Sequence, residues 1–376
     1  MMKVGIRVLL SLFLLLCLSL TVSAEGEDAA GEEYRDFLQA IPPEVQELLP
    51  EGFLQSPLEN AEGAVSEASG IDRIFSTLAS LTGLYIRGAI SLLAKICGLL
   101  LLGAVLRVLG TGEQRGTQQA FGFCSALVLA VSVFALQRDV FGRMRSFFNT
   151  VRGLCTAFLP LMGTLYAMGG NLRAAVANHG VLSGFLVLLE TFCAGSVLPV
   201  AGVCLAFALI DALCGGVNLR PLAALIKRTY TLTLSFLMLL LCGVLGLQST
   251  LTKASDSLAL RTAGFAAGSF LPVVGGSISQ TLGTVAASVE YLRAVAGSGA
   301  ILVLFFAFLP TFLSLVLYRT AFLVGGAVAK LFGGEGEEKI LTEFGSVYGY
   351  FLSVMACIFV MLVFSLTLFA RTAAAG

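Results

Sequence analysis

Long apolar runs alternate with short polar or glycine-rich breaks from about residue 84 to residue 370. The runs cover roughly 84–107, 119–137, 181–198, 199–214, 229–250, 299–318 and 346–370. A helix needs about 20 apolar residues to cross the hydrocarbon core of a bilayer. Several runs are shorter than that, or carry Pro and Gly. Two further segments, 140–170 and 258–297, are less apolar and amphipathic. Each reads as an interfacial helix, a re-entrant hairpin or a helix shielded inside a bundle. The pattern predicts an all-α, polytopic membrane protein with Pro/Gly-broken helices and five to eight crossings, over residues 80–376.

The first 79 residues follow a different pattern. Lys3 and Arg7 precede the apolar core "VLLSLFLLLCLSL", and "VSA" ends at Ala24. This predicts a secretory signal over residues 1–24, with an uncleaved first helix as the alternative. Either way Glu25 onward lies outside the cytoplasm. Residues 25–79 carry apolar positions at helical spacing in "YRDFLQAIPPEVQELLPEGF", interrupted by Pro42–Pro43 and Pro50. They predict short helices in an extracytoplasmic arm, which serves either as a solvated spacer or as a docking arm for a partner.

One phrase recurs where the apolar runs meet: "AFLPLMG" (157–163), "SVLPVAG" (196–202), "SFLPVVGG" (269–276) and, more weakly, "AFLPTFL" (307–313). Pro160 and Pro199 are 39 residues apart, and Pro272 and Pro310 are 38 apart, so the second pair follows the first at offsets of 112 and 111. Tyr230 and Ser235 match Tyr348 and Ser353 at an offset of 118, and "GGEGEE" (Gly333–Glu338) is an insert that takes up the difference. A duplication is expected, with repeats at 146–250 and 258–370. Proline removes a backbone hydrogen bond and crowds the preceding turn, and in lipid the freed carbonyl must be satisfied within the protein. The expected breaks, at Pro160, Gly163, Pro199, Gly202, Pro272, Gly275, Gly276 and Pro310, should therefore face other helices. They are either kinks, re-entrant turns or parts of a site at the repeat interface.

Composition sharpens the class. Of 376 residues 57% are hydrophobic and 12% charged, with mean hydropathy +0.93; soluble domains carry about 25% charged residues. The net charge is zero but unevenly placed. Residues 25–79 hold thirteen acidic and two basic side chains, while residues 80–376 hold ten acidic and nineteen basic. The basic residues are thinly spread among apolar helices, which excludes a nucleic-acid surface. Charge placement leaves orientation open. A first span carrying Arg107 and Arg115 to the cytoplasm obeys the positive-inside rule. A second span ending at 137 then sends Arg138, Arg143, Arg145 and Arg152 outward, against it. That region is either re-entrant or its arginines line a protein interface.

Candidate chemistry is sparse. Ionisable residues inside apolar helices are costly and usually face the bundle interior or a water-filled path. Glu190, Asp211, Glu290 and Arg293 are such residues, and Glu290 and Arg293 stand at i, i+3 spacing, within reach of each other on a helix. Asp256 and Arg261, in "KASDSLALRTAG", are further candidate buried polar residues, with a solvated loop as the alternative. The nine cysteines form no C-x-x-C pair, and the lone His179 follows no serine motif in a hydrolase order. No P-loop is present. No catalytic residue, cofactor or metal site is predicted, and the chain is not expected to be an enzyme.

The stretch "LTKASDSLALRTAGFAAGSFLPVVGGSISQTLGTV" (Leu251–Val285) resembles the K-x-x-D…R-T…(aromatic)-P-V-V/I-G signature of the stage III sporulation protein AE family of endospore-forming Firmicutes. The segment "AILVLFFAFLPTFLSLVLYRTAFLVGGAV" resembles the same family, and the similarity runs from about residue 34 to 370. Basic residues of the family between Arg261 and Phe270 are absent here, so no role for them carries over. The resemblance implies a subunit needed for endospore formation, in the mother-cell membrane around the forespore. It implies a secretion-like complex whose partners include ring-forming proteins, a secretion-type ATPase and a forespore-side channel protein. The alternative is a secondary transporter with a site at the repeat interface.

Overall fold

A computed structural model describes residues 29–50, 52–58, 61–109, 115–168, 180, 184, 195–213, 218–270 and 275–371. Of residues 109, 115–119, 245, 248–270, 275–286 and 371 only the backbone is described. The expected signal over 1–24, Glu190 and Pro272 lie outside the described residues, as does most of the expected span at 181–198.

The described residues are helical throughout, with no strand among them. Three short helices form the arm: α1 (29–39), α2 (Pro43–Gln46) and α3 (Ala61–Ala68). Seven longer ones follow: α4 (Ile71–Leu109), α5 (Arg115–Leu136), α6 (Arg138–Met168), α7 (Gly195–Leu213), α8 (Arg220–Phe270), α9 (Gly275–Leu331) and α10 (Glu335–Arg371). Among the described residues six stretches are long and apolar enough to cross a membrane: Ile71–Val108, Ala120–Met168, Gly195–Leu213, Arg220–Val244, Ala287–Leu331 and Glu335–Ala370.

The antiparallel pair α9–α10 is the centre of the bundle. Phe322 stacks on Phe344 at 5.2 Å near one end, and a Cβ on Gly297 would lie 2.8 Å from the Cβ of Ala370 at the other. Small residues there let two long helices approach closely. The turn between them has a local cause. Gly333 takes φ 69°, a left-handed conformation that glycine adopts without a steric penalty. Its N–H donates to Lys330 O and the N–H of Gly334 to Ala329 O. These two bonds cap the last carbonyls of α9. The acidic residues Glu335, Glu337 and Glu338 then open α10, where the helix dipole favours negative charge.

The other helices pack around this hairpin. α4 runs parallel to α9, with Gly88 against Tyr318 and Gly325 against Ile96. α5 and α6, joined through Gln137, run alongside α10, with ring pairs Phe134–Phe344, Phe141–Phe351 and Phe158–Phe369. α7 and α8 form a second hairpin. Its turn lies beside that of α9–α10, because Asp211 meets Lys339 and Lys227 meets Glu343. Both hairpins thus enter and leave at the same end of the molecule. The arm covers the opposite end: Phe37 packs edge-on against Phe158, and Phe53 and Val65 lie against Gly299.

Two expectations need correction. The segment 140–170 is not a re-entrant hairpin; it continues the rod begun by α5, because its apolar positions keep helical spacing from Val140 to Tyr166. Nor are Pro160, Pro199 and Pro310 re-entrant turns: α6, α7 and α9 run through them, and the reading as kinks within helices is the one that fits. A proline costs one ladder bond, which packing along a long helix absorbs. Pro160 and Pro199 are exposed rather than turned to other helices. A Cβ at Gly163 or Gly202 would meet nothing within 4 Å. Gly275 and Gly276 open α9.

Candidate functional site

Ionisable side chains gather where the two hairpins turn. Glu337, in the first turn of α10, is 2% exposed, and its Oε1 accepts from Arg107 Nη1 at 2.6 Å and from Ser125 Oγ at 2.7 Å. Arg107 stands in the last turn of α4, so both partners also suit the dipole at their helix ends. The fit is tight. A Cβ on Gly103 would lie 2.2 Å from Ser125 Oγ, and one on Gly334 would lie 2.9 Å from Glu337 Oε2. Glycine at both places lets α4, α5 and α10 close around one carboxylate.

Asp211, at the end of α7, is 1% exposed. Lys339 Nζ lies 3.4 Å from its Oδ1 and donates to its carbonyl at 3.1 Å. Arg220 Nε stands 3.9 Å from Oδ2, an ion pair too long for a hydrogen bond. One turn further along α10, Glu343 pairs with Lys227 of α8, and Lys227 also donates to Ser346 Oγ at 2.5 Å. Tyr348 donates to Gln137 Oε1. Polar contacts thus meet the first turns of α10 on two opposite faces, Glu337 and Tyr348 on the side of α4 and α5, and Lys339, Glu343 and Ser346 on the side of α7 and α8.

A second, smaller polar group lies at the arm end. Arg293 is buried, and its guanidinium donates to Leu165 O at 2.7 and 3.0 Å while lying 4.7 Å over the Tyr166 ring. The contact ties α9 to the last described turn of α6.

Of the residues singled out from sequence, Asp211 and Arg293 are buried, at opposite ends of the bundle. Arg293 turns to the α6 terminus rather than to Glu290, whose Oε1 is buried without a hydrogen-bond partner. Asp256 and Arg261 stand on the helical backbone of α8, and their side chains lie outside the described residues. Sequence reasoning missed Arg107, Lys227, Glu337, Lys339 and Glu343. "GGEGEE" reads as a hydrophilic insert; the signal was that its last four residues open a 37-residue, mostly apolar helix. There an acidic residue at a helix start has to find a cation. Among the described residues no three metal-ligating side chains come together.

These features define a polytopic helical membrane protein whose buried charges are mostly paired between helices and whose acidic arm is folded onto one end. The chain belongs to the stage III sporulation protein AE family, whose model matches residues 58–373, and membership gives it a role in sporulation. It is 22% identical over 355 residues to the stage III sporulation protein AE of Bacillus subtilis (strain 168), over 92% of this chain and 86% of that protein. No solved structure matches.

Proposed function

We propose that this chain is a non-enzymatic integral membrane subunit of a secretion-like channel complex. The complex joins mother cell and forespore, and the chain sits in the mother-cell membrane around the forespore. The arm carries this reading. Its apolar residues Tyr34, Phe37, Ile41 and Phe53 are buried, while Glu32, Asp36, Glu44, Glu47 and Glu67 are exposed. A spacer needs no such docked, predominantly acidic face, on which Arg35 is the exposed exception. A platform for other subunits does, and ring-forming proteins or the forespore-side channel protein are the proposed occupants. A secretion-type ATPase would act at the other end. Arg107, Arg220, Lys227, Lys330 and Lys339 lie there, and the positive-inside rule assigns that end to the cytoplasm.

The transporter alternative asks Glu190, Asp211 and Glu290 to share a cavity. Asp211 and Glu290 are separated by most of the length of α9, and Asp211 is already paired, so this reading gains no support. The test is deletion of the gene in the sporulating host. The expected outcome is arrest after engulfment; normal spores would overturn the proposal. The duplication remains a proposal as well. The shared direction of the α7–α8 and α9–α10 hairpins fits a parallel repeat.

A further inference from the structure

α6 presents an outward face unlike that of its neighbours. Arg138, Arg145, Asn149, Arg152, Thr156 and Pro160 are all exposed, at helical spacing along the whole helix. No large apolar side chain between residues 138 and 168 is exposed. α5, on the same rod, exposes Phe123, Val128, Val131 and Phe134. The change occurs at Gln137.

Height along the bundle can be read from contacts to α10. Phe141 meets Phe351 and Phe158 meets Phe369, which places α6 beside the apolar second half of α10. On α8, Tyr230 meets Tyr350 and Ser235 meets Cys357. α8 therefore stands at the same height, and there it exposes Leu232, Phe236, Leu239, Leu240 and Val244. α9 packs against both helices. One level of the bundle thus has an apolar flank on α8 and a polar, cationic flank on α6. Lipid suits the first. It does not suit the second, because an arginine in hydrocarbon costs about 2.5–3.5 kcal/mol even on the lower scales.

We propose that the outward face of α6 lines a water-filled passage that favours anionic solutes. Arg138 and Arg145 outnumber Asp139 on this face, so the wall carries net positive charge, and a charged wall in a narrow path enriches counter-ions. The same charge disfavours packing against a second copy of the same stripe. Gly142, Gly153 and Pro160 keep the surface shallow. Three of the four arginines that contradict the positive-inside pattern lie on this face, where they need not enter lipid; the fourth, Arg143, lies over the Tyr318 ring of α9. The inference rests on the chain spanning a membrane and holds whether or not the channel complex is its setting.

The test is thiol accessibility in membranes from the sporulating host, in the full chain with its native cysteines replaced. Ser146→Cys, Asn149→Cys, Arg152→Cys and Thr156→Cys probe α6; Phe236→Cys and Leu240→Cys probe α8 at the same height. A thiol reacts as the thiolate, which needs water, so α6 sites should label at least about tenfold faster than α8 sites with a membrane-impermeant methanethiosulfonate. After correction for reaction with a free thiol, the anionic sulfonate reagent should outpace the cationic trimethylammonium one at α6. Where an arginine variant fails to accumulate, Ser146→Cys and Thr156→Cys, close in size to the native residues, decide the matter. α6 sites as protected as α8 sites would overturn the proposal. So would a crosslink from α6 to another protein together with such protection, which would make the stripe a docking face. Loss of sporulation in a deletion strain bears on the channel reading alone, so the two can fail separately.

Discussion

Glu337 has one carboxylate oxygen held by two donors from two other helices, and no water-facing alternative at 2% exposure. Removing one member of a buried pair leaves the other uncompensated and costs about 3–5 kcal/mol, whereas replacing both by apolar groups of similar volume is often neutral. Arg107→Met should therefore lower the thermal midpoint in detergent sharply, and Arg107→Met with Glu337→Leu should recover most of the loss. A double variant no more stable than the single one would show that Arg107 contributes through its packing alone. Tyr34 offers a contrast in the arm. Burial pushes its hydroxyl up to about 12, and that hydroxyl has no hydrogen-bond partner. An unpaired buried polar group costs free energy that its removal returns. Tyr34→Phe should leave the arm as resistant to protease as before, or more so. Phe37→Ala, which empties the contact with Phe158, should expose the arm to cleavage, since burying a phenylalanine is worth about 3–5 kcal/mol by truncation. Ionisation of Tyr34 works in the same direction: protection is full below the ordinary tyrosine pKa of about 10 and is lost as pH rises through about 12.

The helices were legible in the sequence to different degrees, for physical reasons that differ. The runs 299–318 and 346–370 read directly as spans, and they form the middle of α9 and the second half of α10. α6 was legible as amphipathic, since Val140, Met144, Phe147, Val151, Leu154 and Phe158 repeat at three- and four-residue steps. Its continuity with α5 was not, because the arginines after Gln137 look like a membrane boundary. The prolines misled for a related reason: the sequence reports a lost ladder bond at Pro160 but not the packing that keeps α6 helical across it. Paired charges such as Arg107 and Glu337 lie 230 residues apart, and no local spacing announces them. The corrected view of the prolines is testable. Pro160→Ala and Pro199→Ala fill no special turn and restore a backbone bond in each helix, so both should accumulate normally and raise stability, by up to about 3 kcal/mol on the propensity scale. Reduced accumulation of either variant would restore the reading of these sites as required bends. At the close crossing of α9 and α10 the opposite holds. Gly297→Val has no space beside Ala370 and should destabilise by about 1–3 kcal/mol.

At the scale of the whole molecule, charge is sorted by position: paired cations and anions where the hairpins turn, a cationic flank along α6, and an acidic arm over the far end. The arm's role can be tested without disturbing its fold. Its exposed carboxylates Glu44, Glu47 and Glu67 make no hydrogen bond among the described contacts, and substitutions at such surface positions usually change stability by less than about 0.5 kcal/mol. Reversing them, as Glu44→Lys, Glu47→Lys and Glu67→Lys together, should leave the protein folded, membrane-inserted and protease-resistant. If the acidic face is what another subunit recognises, like charges now oppose like charges across that contact, which costs several kcal/mol. The strain should then accumulate the protein yet form spores poorly. A compensating change from basic to acidic residues in the partner should restore them. Deleting residues 25–79 removes both the fold and the face of the arm, so it cannot separate the two; the reversal can. Full sporulation in the reversed strain would reduce the arm to a cover over the Phe158 end of the bundle.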